Sequence, residues 1–334
     1  LEIKPVIINN RLNNLLGCQS LYKNNPASMQ KIQRQSIKAF CVCIKFITIT
    51  PIALLLCLGS RAQRLSAQHQ RTEVGKSHFV LGMDYLSDNV YQGRKDSIAS
   101  PYLSTVIGYY HKSGFFLNGS ASYLLSPGQN RFDLISIEGG YSHYTDHLNL
   151  EVEAARDFYS DESYSVSSEI HGRFSTYISF DFNFIEPSLD LGASFGDSHD
   201  LGLDLALAHN ISCINDQLVI SPTLHMNAGT QNYYSNYFAK RRYSPNRGKS
   251  SSISKSAKVE DPSHFQIMDY ELSIPAEFSL KDKIKLSMIP TYVIPVNPLT
   301  ITTETKNNGA ASSSTAEEIL KNSFFIQLGV RYRL

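Results

Sequence analysis

From residue 78 to the end of the chain, one pattern recurs about twelve times: segments of roughly ten residues in which apolar and polar side chains alternate. A period of two places successive side chains on opposite faces of a β-strand. In "FFLNGSASYLL", Phe115, Leu117, Ala121, Tyr123 and Leu125 oppose Asn118, Ser120 and Ser122. In "SYSVSSEIHGRFSTYISF", Val166, Ile170, Phe174, Ile178 and Phe180 oppose Ser167, Glu169, His171, Arg173 and Ser175. "LGLDLALA" and "KIKLSMIPTYVI" behave in the same way, and so does the terminal "SFFIQLGVRYRL", where Phe324, Ile326, Leu328, Val330 and Tyr332 alternate with Gln327, Arg331 and Arg333. The segments fall near 78–87, 101–111, 115–125, 132–144, 147–158, 165–181, 184–196, 200–212, 217–229, 266–280, 283–295 and 323–334.

The connections add a second regularity. Short turns ("KSG", "TDH", "DFN", "IND", "KDK") follow the even segments, and longer loops follow the odd ones, including 231–265 and "NPLTITTETKNNGAASSSTAEEILKN". Tilted strands of this length cross a bilayer, and short turns at one rim with long loops at the other mark an outer-membrane barrel. A soluble sandwich also alternates, but it does not require the loops to alternate in length. The expectation is therefore an all-β, closed antiparallel transmembrane barrel of about twelve strands with up-and-down topology, covering 77–334. No helix is needed, because a closed barrel pairs every backbone N–H and C=O internally. The terminal segment is expected to close the barrel against the first strand near 79–85, so that no edge remains.

The region before the barrel reads as addressing. Lys31, Arg34 and Lys38 precede an apolar run that ends in "PIALLLCLGS", with Ser60 and Ala62 at small-residue positions. This is a secretory signal over 29–62, followed by a periplasmic linker over 63–76. Residues 1–28 are expected to be a non-native segment upstream of a true start at Met29. Four of the five cysteines lie before residue 58, so the barrel keeps only Cys213 and no internal disulfide. Net charge is +1, which points to no nucleic-acid partner. Trp is absent while Tyr numbers 19 and Phe 17, so these two alone would supply interfacial girdles. Candidates are Tyr85, Tyr102, Tyr109, Tyr123, Tyr141, Tyr144, Tyr159, Tyr233, Tyr234, Tyr237, Tyr292 and Tyr332.

The stretch "YLSDNVYQGRKDSIASPYLSTVIGYYHKSGFFLNGSASYLL" resembles the TorF-type porin family. Ser87, Asp88, Asn89, Val90, Tyr91, Gln92 and Gly93 take one family motif, with Gln92 where Arg is usual. His111, Ser113, Gly114, Phe115 and Phe116 take a second, and "FDLISIEGGYSHYTDHLNLEV" is similar to a family hairpin. The match spans 79–160, and the second half, with its long 231–265 loop, departs from it. The general style also resembles small outer-membrane barrels of the Bacteroidetes. The resemblance implies a small barrel called a porin by analogy and supplies no substrate.

A charge facing lipid costs about 2–4 kcal/mol at the midplane, so charged residues are expected to face inward. Parity places Asp84, Glu138, Glu151, Glu153, Glu169, Glu186, Asp190, Asp204, Asp269, Glu271 and Glu277 inside, with Arg173, Lys285, Arg331, Arg333, His171 and His225. Glu151, Glu153, Glu169, Arg173, Glu186, Asp190, Asp204, Asp269, Glu271, Arg331 and Arg333 are the candidate lumen-lining set. An acid-leaning lumen biases permeation towards cations and polar solutes. The same groups, paired among themselves, would plug it. Two other readings stay open: a barrel enzyme acting on lipids, and a structural or adhesive surface barrel. A serine hydrolase would need Ser, His and an acid to meet, but no G-x-S-x-G occurs. No metal, cofactor or dinucleotide signature is present. Expected partners are outer-membrane lipid and lipopolysaccharide, the latter also through the seven basic residues of 240–258, and the barrel-assembly machinery, which would read the C-terminal strand.

Overall fold

The computed structural model of the chain describes residues 76–96, 98–126, 128, 130–163, 165–242, 253–281, 283–307 and 310–334. The expected upstream segment, signal and linker, Lys76 apart, lie outside the described residues.

Eighteen strands and one helix order the described chain. They are β1 (His78–Leu86), β2 (Tyr102–Tyr110), β3 (Phe115–Leu124), β4 (Arg131–Tyr144), β5 (Leu148–Tyr159), β6 (Ile170–Phe180), β7 (Glu186–Gly196) and β8 (His199–Ala208). There follow β9 (Ile211–Cys213), β10 (Leu218–Ile220), β11 (Thr223–Gly229), helix α1 (Asn232–Arg242), β12 (Ile253–Val259), β13 (Gln266–Ser273) and β14 (Ala276–Leu280). Last come β15 (Ile284–Pro295), β16 (Thr300–Asn307), β17 (Ala310–Glu317) and β18 (Ser323–Arg333).

The wall runs β1 to β8, then β11, β13, β15 and β18, and β18 returns to β1, every pairing being antiparallel. The strands β9, β10 and β14 continue β8, β11 and β13 towards the short-turn end, so twelve strands form a closed barrel. Prolines explain two of the three interruptions, those between β10 and β11 and between β13 and β14. Pro222 and Pro275 have no N–H to give the ladder. Their carbonyls still accept from the next strand, from His209 N at 3.0 Å and Ser221 N at 2.8 Å, so the wall stays laced across the breaks.

Closure follows the expected register. Val80 lies opposite Arg333, Asp84 opposite Gly329 and Leu86 opposite Gln327. The Leu334 N–H donates to Phe79 O at 3.0 Å. A sheet closed in this way has no free edge.

The two faces of the wall are inverted relative to a water-soluble protein. Side chains such as Ile107 (61% exposed), Phe115 (62%) and Leu117 (58%) point outward, while Asp84 (1%), Asp204 (3%) and Asp269 (0%) are buried inside. Only a hydrocarbon surround makes that arrangement favourable, and the fold is a transmembrane barrel of the outer-membrane type.

Four expectations change. The rule of long loops at one rim fails between β7 and β8, which Asp197 and Ser198 alone connect. The serine-rich 165–169 stretch is a turn rather than the start of a strand, and the strand begins only at Ile170. Serine hydroxyls there bond neighbouring backbone, Ser167 N to Ser165 Oγ at 3.2 Å for example, and compete with a ladder. The connections 231–265 and 296–322, read as long loops, carry α1 and a separate three-stranded sheet, β12–β16–β17. The girdle is also smaller than expected. Tyr102, Tyr144 and Tyr159 face inward, and Tyr233, Tyr234 and Tyr237 belong to a core built on the loops.

Candidate functional site: a polar lumen under a loop cap

Residues directly opposite across antiparallel strands share a face, so the register defines the interior. On the seam, Arg331 forms a bidentate pair with Asp84, both contacts at 2.7 Å. The Arg331 side chain lies over Gly82, where a side-chain carbon would come within 2.5 Å of its Cδ. On β5 and β6, Arg173 Nε meets Asp157 Oδ2 at 2.9 Å. Lys285 Nζ meets Glu277 Oε1 at 2.8 Å.

Several carboxylates are held by neutral donors. Ser175 Oγ donates to Glu153 at 2.9 Å, Ser179 Oγ to Glu186 at 2.8 Å and Asn118 Nδ2 to Glu138 at 3.2 Å. Tyr144 Oη donates to Glu151 at 3.2 Å and Asn227 Nδ2 to Asp269 at 2.6 Å. Asp190 and Asp204 stand directly opposite each other on β7 and β8, both buried. Two carboxylates so placed are unfavourable unless partnered, and His225 Nδ1 lies beside Asp204.

The predicted positions thus divide by location. Glu151, Glu153, Arg173, Glu186, Asp190, Asp204, Asp269, Glu271, Arg331 and Arg333 all sit on the inward face of wall strands. Glu169 precedes β6 in the serine turn, and His171 falls at the irregularity between Ile170 and Gly172. Parity missed Asp133 because a bulge between Ser122 and Tyr123 resets the alternation and turns it inward. Its carboxylate gathers Arg131 Nε at 2.8 Å, Ser163 Oγ at 2.6 Å and the Tyr102 hydroxyl. Asp157 was legible, since it continues the parity of Glu151 and Glu153.

His225 Nδ1 is 3.3 Å from Asp204 Oδ2, and its Nε2 is 3.4 Å from Ser273 Oγ. These are the residue types of a hydrolase triad. Acyl transfer also needs donors aimed at a developing oxyanion. The strands around Ser273 commit their N–H groups to the ladder, and the nearby Asn227 amide is held by Asp269. The three side chains link β8, β11 and β13 across the inner face.

At the long-loop end the barrel carries a cap. Tyr91 and Arg94 bond each other's backbone at 2.8 and 2.9 Å around Gln92 (φ 48°) and Gly93 (φ 74°). Two positive φ values make this a tight hairpin turn that favours glycine. At Gly93 a Cβ would also lie 2.9 Å from Pro295 Cβ and 3.1 Å from Asp269 Cβ, so the turn presses against the wall. Arg94, fully buried, donates to Met268 O and Asn297 O, each at 3.0 Å, and meets Glu318 at 3.4 Å.

Over this turn, Tyr91, Val166, Ile170, Tyr233, Tyr234, Tyr237, Phe238, Val259, Met268 and Leu299 form one apolar core. Asp200, at the start of β8, accepts from Asn232 N at 2.6 Å and Tyr233 N at 2.8 Å, which caps α1. Burial, with Tyr91 beside it, pushes the Tyr233 hydroxyl well above the ordinary phenol range, so it stays neutral. Nothing in the residue pattern of 231–265 marked this core, although its tyrosines were noted as girdle candidates. Of the basic 240–258 stretch, residues 243–252 lie outside the described residues.

No family model matches the chain, and no curated protein does. Among solved structures it is similar to a KdgM porin, at 9% identity over 76% of this chain and 98% of that one, with a TM-score of 0.40. It is similar to a NanC porin at 11% identity over 77% and 100%, with a TM-score of 0.42. A structure titled bacterial polysaccharide outer membrane secretin shows 11% identity over 78% and 98%, with a TM-score of 0.36. Likeness this low leaves the functional reading to the chain's own residues.

Proposed function

We propose that this chain is a porin-like outer-membrane channel for passive diffusion of small polar or cationic solutes, with its outer mouth narrowed by the loop cap. The observation that carries the reading is the inward face itself. Carboxylates outnumber guanidinium and ammonium groups there, and several accept hydrogen bonds from Ser, Asn or Tyr. A lumen with one prevailing charge sign favours counter-ions. The resemblance of 79–160 to TorF-type porins, and of the chain's general style to small Bacteroidetes barrels, supports the same reading. Under it, Glu151, Glu153, Glu186, Asp190, Asp204, Asp269 and Glu271 line the solute path. Outer-membrane lipid surrounds the wall, and the alternating C-terminal strand is what the barrel-assembly machinery would engage.

Swelling of proteoliposomes in isotonic solutions of small polar solutes tests this. The chain should raise the swelling rate above that of empty liposomes, and more for smaller solutes. Rates equal to empty liposomes would show that the barrel does not conduct solutes.

A further inference from the structure

One residue breaks the logic of the outer wall. Among the described wall strands, Arg156 is the one Asp, Glu, Lys or Arg on the outward face. Its neighbour Asp157 is buried inward, while Phe158, one outward position further along, is 51% exposed. Across the ladder Arg156 lies opposite Ile137, an exposed lipid-facing side chain, and opposite Gly172. Its guanidinium carbon sits 5.6 Å from the Phe158 ring centroid, in cation–π range.

The surroundings leave room for a ligand. Gly172 presents no side chain, and a Cβ there would lie 3.9 Å from Arg156 Nη1. Phe195 lies opposite Gly172, and His199 opposite Phe195, their rings 5.6 Å apart. Arg156, the Gly172 gap, Phe195 and His199 thus form one outward row, with Phe158 beside it.

Height on the wall identifies the occupant. β5 enters the membrane from the short 145–147 turn and leaves at Tyr159 into the 160–169 loop, so Arg156 lies in its outer third. Exposed Phe132 and Phe158 mark the aromatic level there. A planar guanidinium at that level needs a bidentate anionic partner, and headgroup phosphates supply one. We propose that this row is a docking site for the phosphate of an outer-leaflet glycolipid, with Arg156 holding the phosphate and Phe158 and Phe195 flanking the lipid. The site is independent of conduction through the lumen.

Native mass spectrometry of the refolded barrel in detergent, titrated with lipid A carrying its phosphates, tests the site. Matched titrations use the same lipid A dephosphorylated, and phosphatidylglycerol. Phosphorylated lipid A should be retained at one molecule per barrel, and the dephosphorylated form should not. Arg156→Ala should weaken retention about tenfold, the scale of one charge-assisted contact. Gly172→Leu, which keeps the charge and crowds the guanidinium, should produce a similar loss, and Arg156→Lys a smaller one. Both positions face outward, so the barrel itself should still fold. Unchanged retention in Arg156→Ala, or equal retention of dephosphorylated lipid A, would overturn the site. Equal retention of phosphatidylglycerol would overturn its assignment to a glycolipid.

Discussion

At Asp84 and Arg331 the consequences of an inward-facing charge are plain. The pair joins the first and last strands, and both side chains are nearly out of solvent's reach. Removing one partner of a buried pair leaves an uncompensated charge, which costs about 3–5 kcal/mol, whereas removing both together is far milder. Asp84→Ala should therefore lower the temperature at which the barrel loses its heat-modifiable gel mobility, and Asp84→Ala with Arg331→Met should recover most of the loss. Equal stability of the single variant and the parent would mean that the seam does not depend on this pair. Parity alone placed both residues inside, because period two leaves a strand residue only two faces to choose from. Parity could not pair them, since partners two hundred and more positions apart are fixed by the register of closure. It failed outright at Asp133, where one extra residue in a bulge turns the face.

Among the elements, the wall strands were legible in the sequence and the cap was not. Lipid forces strict alternation on the wall, so each strand announces itself. The cap elements face other loops, and no lipid or water boundary imposes a period on them. Helix α1 shows this, since its three tyrosines and Phe238 pack towards the same small core without a clean amphipathic repeat. The serine turn at 165–169 misled for the opposite reason. It alternates by composition, but its hydroxyls satisfy backbone locally. Among the contacts that hold the cap are the Asp200 cap on α1 and the Arg94 bond to Met268 O, where the β11–β13 register shifts. Asp200→Ala removes two backbone acceptor contacts at the helix start, a loss of about 0.5–2 kcal/mol. Amides of α1 should then exchange with deuterium faster, while those of β1 to β5 keep their protection. Unchanged exchange in α1 would show that the helix is held by its aromatic core alone.

For the whole molecule, charge on the inner face should govern what passes. Carboxylates lie on β4, β5, β7, β8 and β13, with Arg173 among them on β6, while Arg331 and Lys285 stand together near the seam between β15 and β18. The fold follows from alternation and turns, but the predicted preference for one ion sign depends on how those charges are partnered. That partnering became visible only once the register was known. The most direct measurement is the reversal potential of the refolded chain in a planar bilayer under a potassium chloride gradient. Discrete single-channel steps with a reversal potential on the cation side are predicted. Asp190→Asn combined with Asp204→Asn should move that potential towards zero. A silent membrane, or steps that reverse on the anion side, would contradict the account.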